Sequence, residues 1–331
     1  MKILKPFLHT SLIALACSFC SVATAQVIID NDFVNGNPLS GATGLESPFY
    51  TTSSGSGLAS NNGTAGVLDF ASGSSGRSIH TLFTPQTLTN TGDTLTLTYT
   101  FTTPATVGTN EDFRVGLFNT GGAAGFDTDI SASSGTPNPI LNGLAGVSGE
   151  FDINTSDADF ALRAHNINNI EIGADGPNPD DPATGRLLTT TDGFEFLESG
   201  PNNGFAIDAN TQYTGSFSLE LDANGDIITT QTLVGGTVNE LFVSDPLAVN
   251  DDLIAGEVGV NTLTFDFVGF SVTSDAFGSV STVDNQDTGE IFDNGLSFNN
   301  VSVTFTAAVP EPSSATLLLV GLVGFCSRRR R

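Results

Sequence analysis

Threonine and an apolar residue alternate without a break from Thr94 to Thr102, and this period of two constrains the fold more than any other feature of the chain. Successive side chains of a strand point to opposite faces, so Leu95, Leu97, Tyr99 and Phe101 share one face and the threonines between them the other. Phe217, Leu219 and Leu221 alternate with Ser218, Glu220 and Asp222 in the same manner. Asn224-Gly225 then predicts a type I′ hairpin into a strand from Ile227 to Val234, because that dipeptide tolerates the positive φ such turns require. Leu263, Phe265 and Phe267 are expected on one face of a further strand, and Val301, Val303 and Phe305 on one face of another, each with polar partners behind. No interior stretch combines a helical period with caps. The reading is therefore all-β: an antiparallel jelly-roll β-sandwich whose sheets are dry on one face and wet on the other.

Gly, Ser and Asn crowd three long stretches, 35–76, 121–149 and 175–185, which read as loops. No repeat of fixed period and no Pro-rich linker divides the interior, so residues 26–308 are expected to form one domain with large insertions. That body holds no lysine, four arginines (Arg77, Arg114, Arg163 and Arg186) and every acid except Glu311, so its net charge is −31. Such a field repels phosphate backbones and anionic membrane surfaces, which excludes nucleic acid as a partner. Cys17, Cys20 and Cys326 all lie in the apolar ends, so the body has no disulfide and no thiolate metal site.

The two ends read as addresses. Residues 1–25 place Lys2 and Lys5 before an apolar run and finish in Ala23-Thr24-Ala25 ahead of Gln26, the pattern of a signal helix cut by signal peptidase after Ala25. Residues 309–331 begin Val309-Pro310-Glu311-Pro312, continue through an apolar stretch, Ala315 to Cys326, and close on Arg328, Arg329, Arg330 and Arg331. A helix of about 12 residues spans roughly 18 Å, well short of the ~30 Å hydrocarbon core, so it suits a transient anchor in the inner membrane more than a permanent span. The arginines hold that end in the cytoplasm, and the body faces outward.

This tripartite tail resembles the PEP-CTERM sorting signal of bacterial exported proteins. The resemblance implies recognition by an exosortase, cleavage near Pro310-Glu311-Pro312, and release or re-anchoring at the cell surface, often in polysaccharide-rich matrix.

The body resembles concanavalin A-like lectin/glucanase (laminin G-like) jelly rolls, through Asp93 to Tyr99, Asp112 to Asn119 and Asn294 to Val303. Glucanases of that fold carry E-x-D-x-x-E on one strand, with the carboxylates pointing into a cleft. Glu150 and Asp152 match the first two positions, so they are the candidate catalytic pair, but Thr155 stands where the proton donor belongs and Asn154 where the shorter variant would need it. The competing reading is an ordinary strand with two solvated acids. The chain also has no Trp, the best platform for stacking a sugar ring.

The G-x-S-x-G, H-E-x-x-H and P-loop signatures are all missing. His80 and His165 stand apart without a partner at metal spacing and read as surface or hydrogen-bonded residues. No cofactor is required by the sequence; calcium is the more plausible ion, with Asp175, Asp180 and Asp181 as candidate ligands on an acidic loop whose competing reading is a solvated acidic segment. Asp222 to Asp226 resembles half a calcium loop but is explained by the hairpin. Arg114 and Arg163, set in strands, are expected to pair with nearby carboxylates. Two functions remain: an exported, non-catalytic surface or matrix module that is structural or binds extracellular polysaccharide weakly, or a glucanase-like glycoside hydrolase.

Overall fold

The computed structural model describes residues 24–34, 44–52, 58–60, 68–70, 77–105, 107, 112–130, 140–141, 144–152, 160–165, 188, 194–200, 206–249, 259–272 and 296–309. Every named element among them is a strand. An eight-stranded sheet runs in spatial order β13 (Val238–Val243), β12 (Ile227–Gly235), β11 (Gln212–Leu221), β6 (Thr94–Thr102), β17 (Leu296–Thr306), β4 (Leu68–Phe70) and β3 (Leu58–Ser60), and β1 (Ala25–Asn31) pairs with β17 as well. A seven-stranded sheet runs β10 (Phe194–Ser199), β9 (Phe160–His165), β8 (Ala145–Asp152), β7 (Asp112–Asn119), β16 (Thr264–Val272), β5 (Arg77–Thr87) and β2 (Phe49–Thr51). Neighbours within both sheets are antiparallel, while β14 (Ala248–Val249) and β15 (Gly259–Val260) form a small parallel pair. The expected antiparallel sandwich is the fold observed. The helices expected at the two ends lie outside the described residues.

Alternation decides which face of the eight-stranded sheet is dry. On β6 the pattern is perfect, with Leu95, Leu97, Tyr99 and Phe101 buried and each threonine half-exposed. Aromatic rings from both sheets meet in the gap: Phe270 on β16 lies 4.8 Å from Phe298 on β17, and Phe113 on β7 lies 5.4 Å from Phe101 on β6. Tilted and edge-to-face pairs of this kind contribute about 0.5–1.5 kcal/mol each beyond the area they bury. Tyr99 lies flat across Gly215 on β11, where a Cβ would come within 2.3 Å of the ring, so only glycine fits there.

The seven-stranded sheet departs from the one-face-wet expectation. β7 and β16 are buried on both faces, because a second apolar cluster of Phe118, Phe126, Ile130, Leu141, Leu144, Leu188 and Phe267 covers the side away from the main core. Phe265 and Phe267 were expected to share a face. Instead the register shifts between them at Asp266, so Phe265 enters the main core and Phe267 the second cluster. Asp266 is fixed by Thr120, whose backbone N–H and hydroxyl donate to its two oxygens at 2.8 and 2.7 Å.

The β11–β12 hairpin forms where expected, with a different turn. Gly225 alone takes a positive φ, +90°, its N–H donates to the Asp222 carbonyl at 3.3 Å, and the Asp222 N–H donates to the Asp226 carbonyl at 2.8 Å. This is the three-residue loop with a glycine bulge rather than type I′, which would need Asn224 at positive φ as well. The Asp222 carboxylate caps the loop by accepting from the Asn224 and Asp226 N–H groups at 2.7 and 2.9 Å. Those bonds pull its carboxyl below the usual range, the Asp226 N–H contributing most.

Candidate functional site

Register on the seven-stranded sheet brings the candidate carboxylates together with the two strand arginines. Glu150 on β8 stands directly opposite Arg114 on β7, and Asp152 opposite Asp112. Phe151 between them points into the main core, so Glu150 and Asp152 share the outer face, as the alternation requires. Glu150 Oε2 accepts from Arg114 Nε at 2.7 Å and from Arg163 Nε, on β9, at 3.1 Å. Arg114 also donates through Nη1 to the Leu188 carbonyl at 3.1 Å and through Nη2 to Asp112 Oδ2. Arg163 extends over the exposed ring of Phe196 on β10, 5.6 Å from its centroid.

Glu150 is not the solvated acid of the simpler reading. Glu150 retains 13% side-chain exposure and Arg114 6%, so the pair is held at low dielectric, where breaking it is costly. Chemically the arrangement is an ion cluster that ties β7, β8 and β9 together at the sheet's outer face. A retaining glycosidase needs a nucleophile and an acid about 5–5.5 Å apart, facing a shared cleft. In this cluster both guanidiniums converge on the same Glu150 oxygen, a use of the carboxylate in structure. Asn154 and Thr155 lie outside the described residues.

The two histidines occupy the same outer face and perform matching tasks. His80 Nε2 donates to the Phe126 carbonyl at 2.8 Å, and its Nδ1 accepts from the Thr52 hydroxyl at 2.5 Å. The ring stacks on Phe267 with centroids 5.0 Å apart. His165 Nδ1 donates to the Leu144 carbonyl. Phe126 and Leu144 both belong to the second apolar cluster, so each histidine pins one part of the cover over this sheet. Burial lowers both imidazoles to about 4, against the raising pull of the carbonyl each one bonds, and of Asp129 at His80. Both are hydrogen-bonded, as one of the sequence readings had them, and both are buried. Their shared role had no signal in the sequence, because it depends on register between distant strands.

The processing candidates converge at one edge of the eight-stranded sheet. Ala25 on β1 pairs with Thr306 on β17, and Gln26 with Phe305. Two residues further on, the Ala308 N–H donates to Asp93 Oδ1 at 2.8 Å, and Val309 follows, 37% exposed. Asp93 Oδ2 meanwhile accepts from the N–H groups of Thr89 and Asn90 at 2.9 and 2.8 Å. Burial acts to raise the Asp93 carboxyl, and the bonds from Ala308, Asn90 and Thr89 outweigh it and hold the group below its ordinary value. Ala23, Pro310, Glu311, Pro312 and Arg328 to Arg331 lie outside the described residues, as do Asp175, Asp180 and Asp181. Among the described residues no three His, Cys, Asp or Glu side chains converge to hold a metal ion.

Comparison with solved structures finds similar outlines among carbohydrate-active sandwiches. The metal-free Emp46p carbohydrate recognition domain is 9% identical with a TM-score of 0.41, covering 81% of this chain and 94% of that one. The VIP36 exoplasmic/lumenal domain in its Ca2+/Man3GlcNAc-bound form is 8% identical with a TM-score of 0.40, covering 81% and 87%. A marine PL-14 alginate lyase from Aplysia kurodai is 13% identical with a TM-score of 0.40, covering 75% and 86%. At these scores the fold rests on the chain's own sheets and no activity follows from the likeness. No curated protein matches the chain in sequence. At its C-terminus the chain carries the PEP-CTERM protein-sorting motif, over residues 308–331, which marks an exported, cell-surface protein.

Proposed function

We propose that the chain is an exosortase substrate displayed at the cell surface or in the extracellular matrix, with a non-catalytic sandwich, residues 26–308, that attaches weakly to polysaccharide through many copies. One observation carries the reading: the start of the mature body and the start of the sorting motif lie side by side, through Ala25 opposite Thr306 and the Asp93 bond to Ala308. A body tethered at that edge turns the rest of its surface away from the membrane. The ion cluster supports the absence of catalysis, since it commits Glu150, the first of the two matched carboxylates, to two arginines. Low affinity per copy is expected without Trp platforms, and crowding on a surface offsets it through effective concentration.

Intact-mass measurement of the surface or secreted fraction tests the address, with a species that begins at Gln26 and lacks Arg328 to Arg331 as the expected result. A main form still carrying those arginines would defeat exosortase processing. Reducing-sugar release from β-glucan tests the chemistry, and the expected release is nil. Turnover that disappears in Asp152→Asn would instead favour the glucanase-like reading.

A further inference from the structure

The outer face of the eight-stranded sheet stands apart from the rest of this acidic chain. Strands β17, β6, β11 and β12 together contain one charged residue, Glu220, although the chain has 36 acids. Two central rows of their outward positions are instead hydroxyls set in register. One row crosses the sheet as Ser302, Thr98, Ser216 and Thr232, and the next as Thr304, Thr96, Ser218 and Thr230. The rows end on β13 at Leu241 and Val243, which are 59% and 52% exposed, and on β1 at the exposed Asp30, beyond Ser302, and Val27, beyond Thr304. Rows lie about 6.7 Å apart along the strands and residues about 4.8 Å apart across them, on backbone that is already ordered.

The geometry points to this face as the binding surface for a neutral, extended polysaccharide, an assignment that rests on the glycan-binding reading above. Charge decides among partners. An anionic polymer is repelled by the carboxylates elsewhere, a cationic one is drawn to them and away from this face, and a second copy of the body brings its own −31 charge with it. An uncharged polyhydroxylated chain meets none of these costs. Each Thr or Ser hydroxyl has one donor and two acceptor positions, so Ser216 and Thr232 can bond each other at 2.6 Å and still accept from a sugar. Threonine methyl groups, with Leu241 and Val243, offer the apolar contact that sugar C–H faces require. Because the hydroxyls sit on paired strands, little conformational entropy is lost on contact, and the repeat along both axes suits a ligand that is itself a repeat.

The test uses protein purified from the surface fraction, as the cell processes it, in pull-down with insoluble β-1,3-glucan particles, cellulose powder and alginate beads. Thr98→Glu/Thr230→Glu places two charges on the face at half-exposed positions. Thr98→Val/Thr230→Val removes two hydroxyls at constant shape, and thermal melting confirms that both variants fold. Wild-type protein is expected on the neutral glucans equally at 0.1 and 1 M NaCl, and not on alginate, with at least a tenfold loss for the Glu pair and a several-fold loss for the Val pair. Retention of the folded Glu pair at wild-type level would remove this face while leaving glycan binding intact, and so would retention on alginate alone. No retention of wild-type protein by any of the three would instead overturn the glycan-binding reading itself, and this inference with it.

Discussion

Arg114 Nε donates to Glu150 Oε2 at 2.7 Å across the β7–β8 ladder, where the two residues stand directly opposite one another. Removing the carboxylate charge takes Arg163 off its ion pair and leaves Arg114 with Asp112 alone, in a largely buried site where breaking such a pair costs about 3–5 kcal/mol. Glu150→Gln is therefore expected to destabilise the sandwich by roughly 3 kcal/mol, measured as a fall in the urea midpoint at unchanged m-value. Asp152→Asn probes catalysis better for this reason. A Glu150→Gln protein as stable as wild type would show that the cluster contributes nothing to the fold.

Strands were legible in the sequence wherever one face is wet. The Thr94 to Thr102 alternation and the Phe217 to Leu221 alternation became β6 and β11 because polar residues mark their outer side. The seven-stranded sheet was harder to read, since Phe118, Phe267 and Leu188 bury its outer face as well, and near-continuous burial erases the period that separates one face from the other. Residues linked through register were the least legible. Glu150 and Arg163 are adjacent only because β8 pairs with β9, and His80 reaches Phe126 only because the chain folds back over β5. The sorting motif was legible because it is local in sequence.

Asp93 controls where the folded body ends. Its carboxylate accepts from Thr89, Asn90 and Ala308, so Asp93→Ala strands backbone N–H groups that are partly buried, at about 1–3 kcal/mol for each one left without a partner. The Ala308 amide, where the body meets the motif, is expected to exchange with deuterium much faster in the variant, while amides of β6 keep their protection relative to the new global stability. Since the folded carboxyl sits below its unfolded value, its contribution is present above the unfolded pKa and disappears as pH falls through the folded one. Wild-type protein in strong acid should therefore show the same local release. Unchanged Ala308 exchange in Asp93→Ala would assign the anchoring to β17 pairing alone.

Calcium can be separated from general screening. The body carries a net −31, so any salt relieves its self-repulsion, whereas a site built from Asp175, Asp180 and Asp181 responds to calcium specifically. A ligand at 100 times its Kd adds about 2.7 kcal/mol of stability, a clear shift in melting temperature. If those aspartates hold the ion, melting in CaCl₂ exceeds melting in NaCl of matched ionic strength, and Asp180→Asn/Asp181→Asn removes the excess. Superimposed curves would leave the loop as a solvated acidic segment.

Acid should loosen the seven-stranded sheet before the eight-stranded one. His80 and His165 have folded pKa values near 4, while an unfolded histidine titrates near 6.5. Between those limits the unfolded chain binds protons that the folded chain does not, so stability falls as pH drops from about 6.5 to 4 and the loss is complete below 4. At 1.36 kcal/mol per pH unit the penalty reaches about 3 kcal/mol for each ring. The loss is local in origin, because each imidazole pins a carbonyl of the second apolar cluster, Phe126 or Leu144, onto the sheet. Chemical denaturation at a series of pH values, repeated on His165→Gln, would expose the linkage: the wild-type slope between pH 6.5 and 4 should shrink by close to half in the variant. An identical slope in both would show that the histidines do not set the acid response.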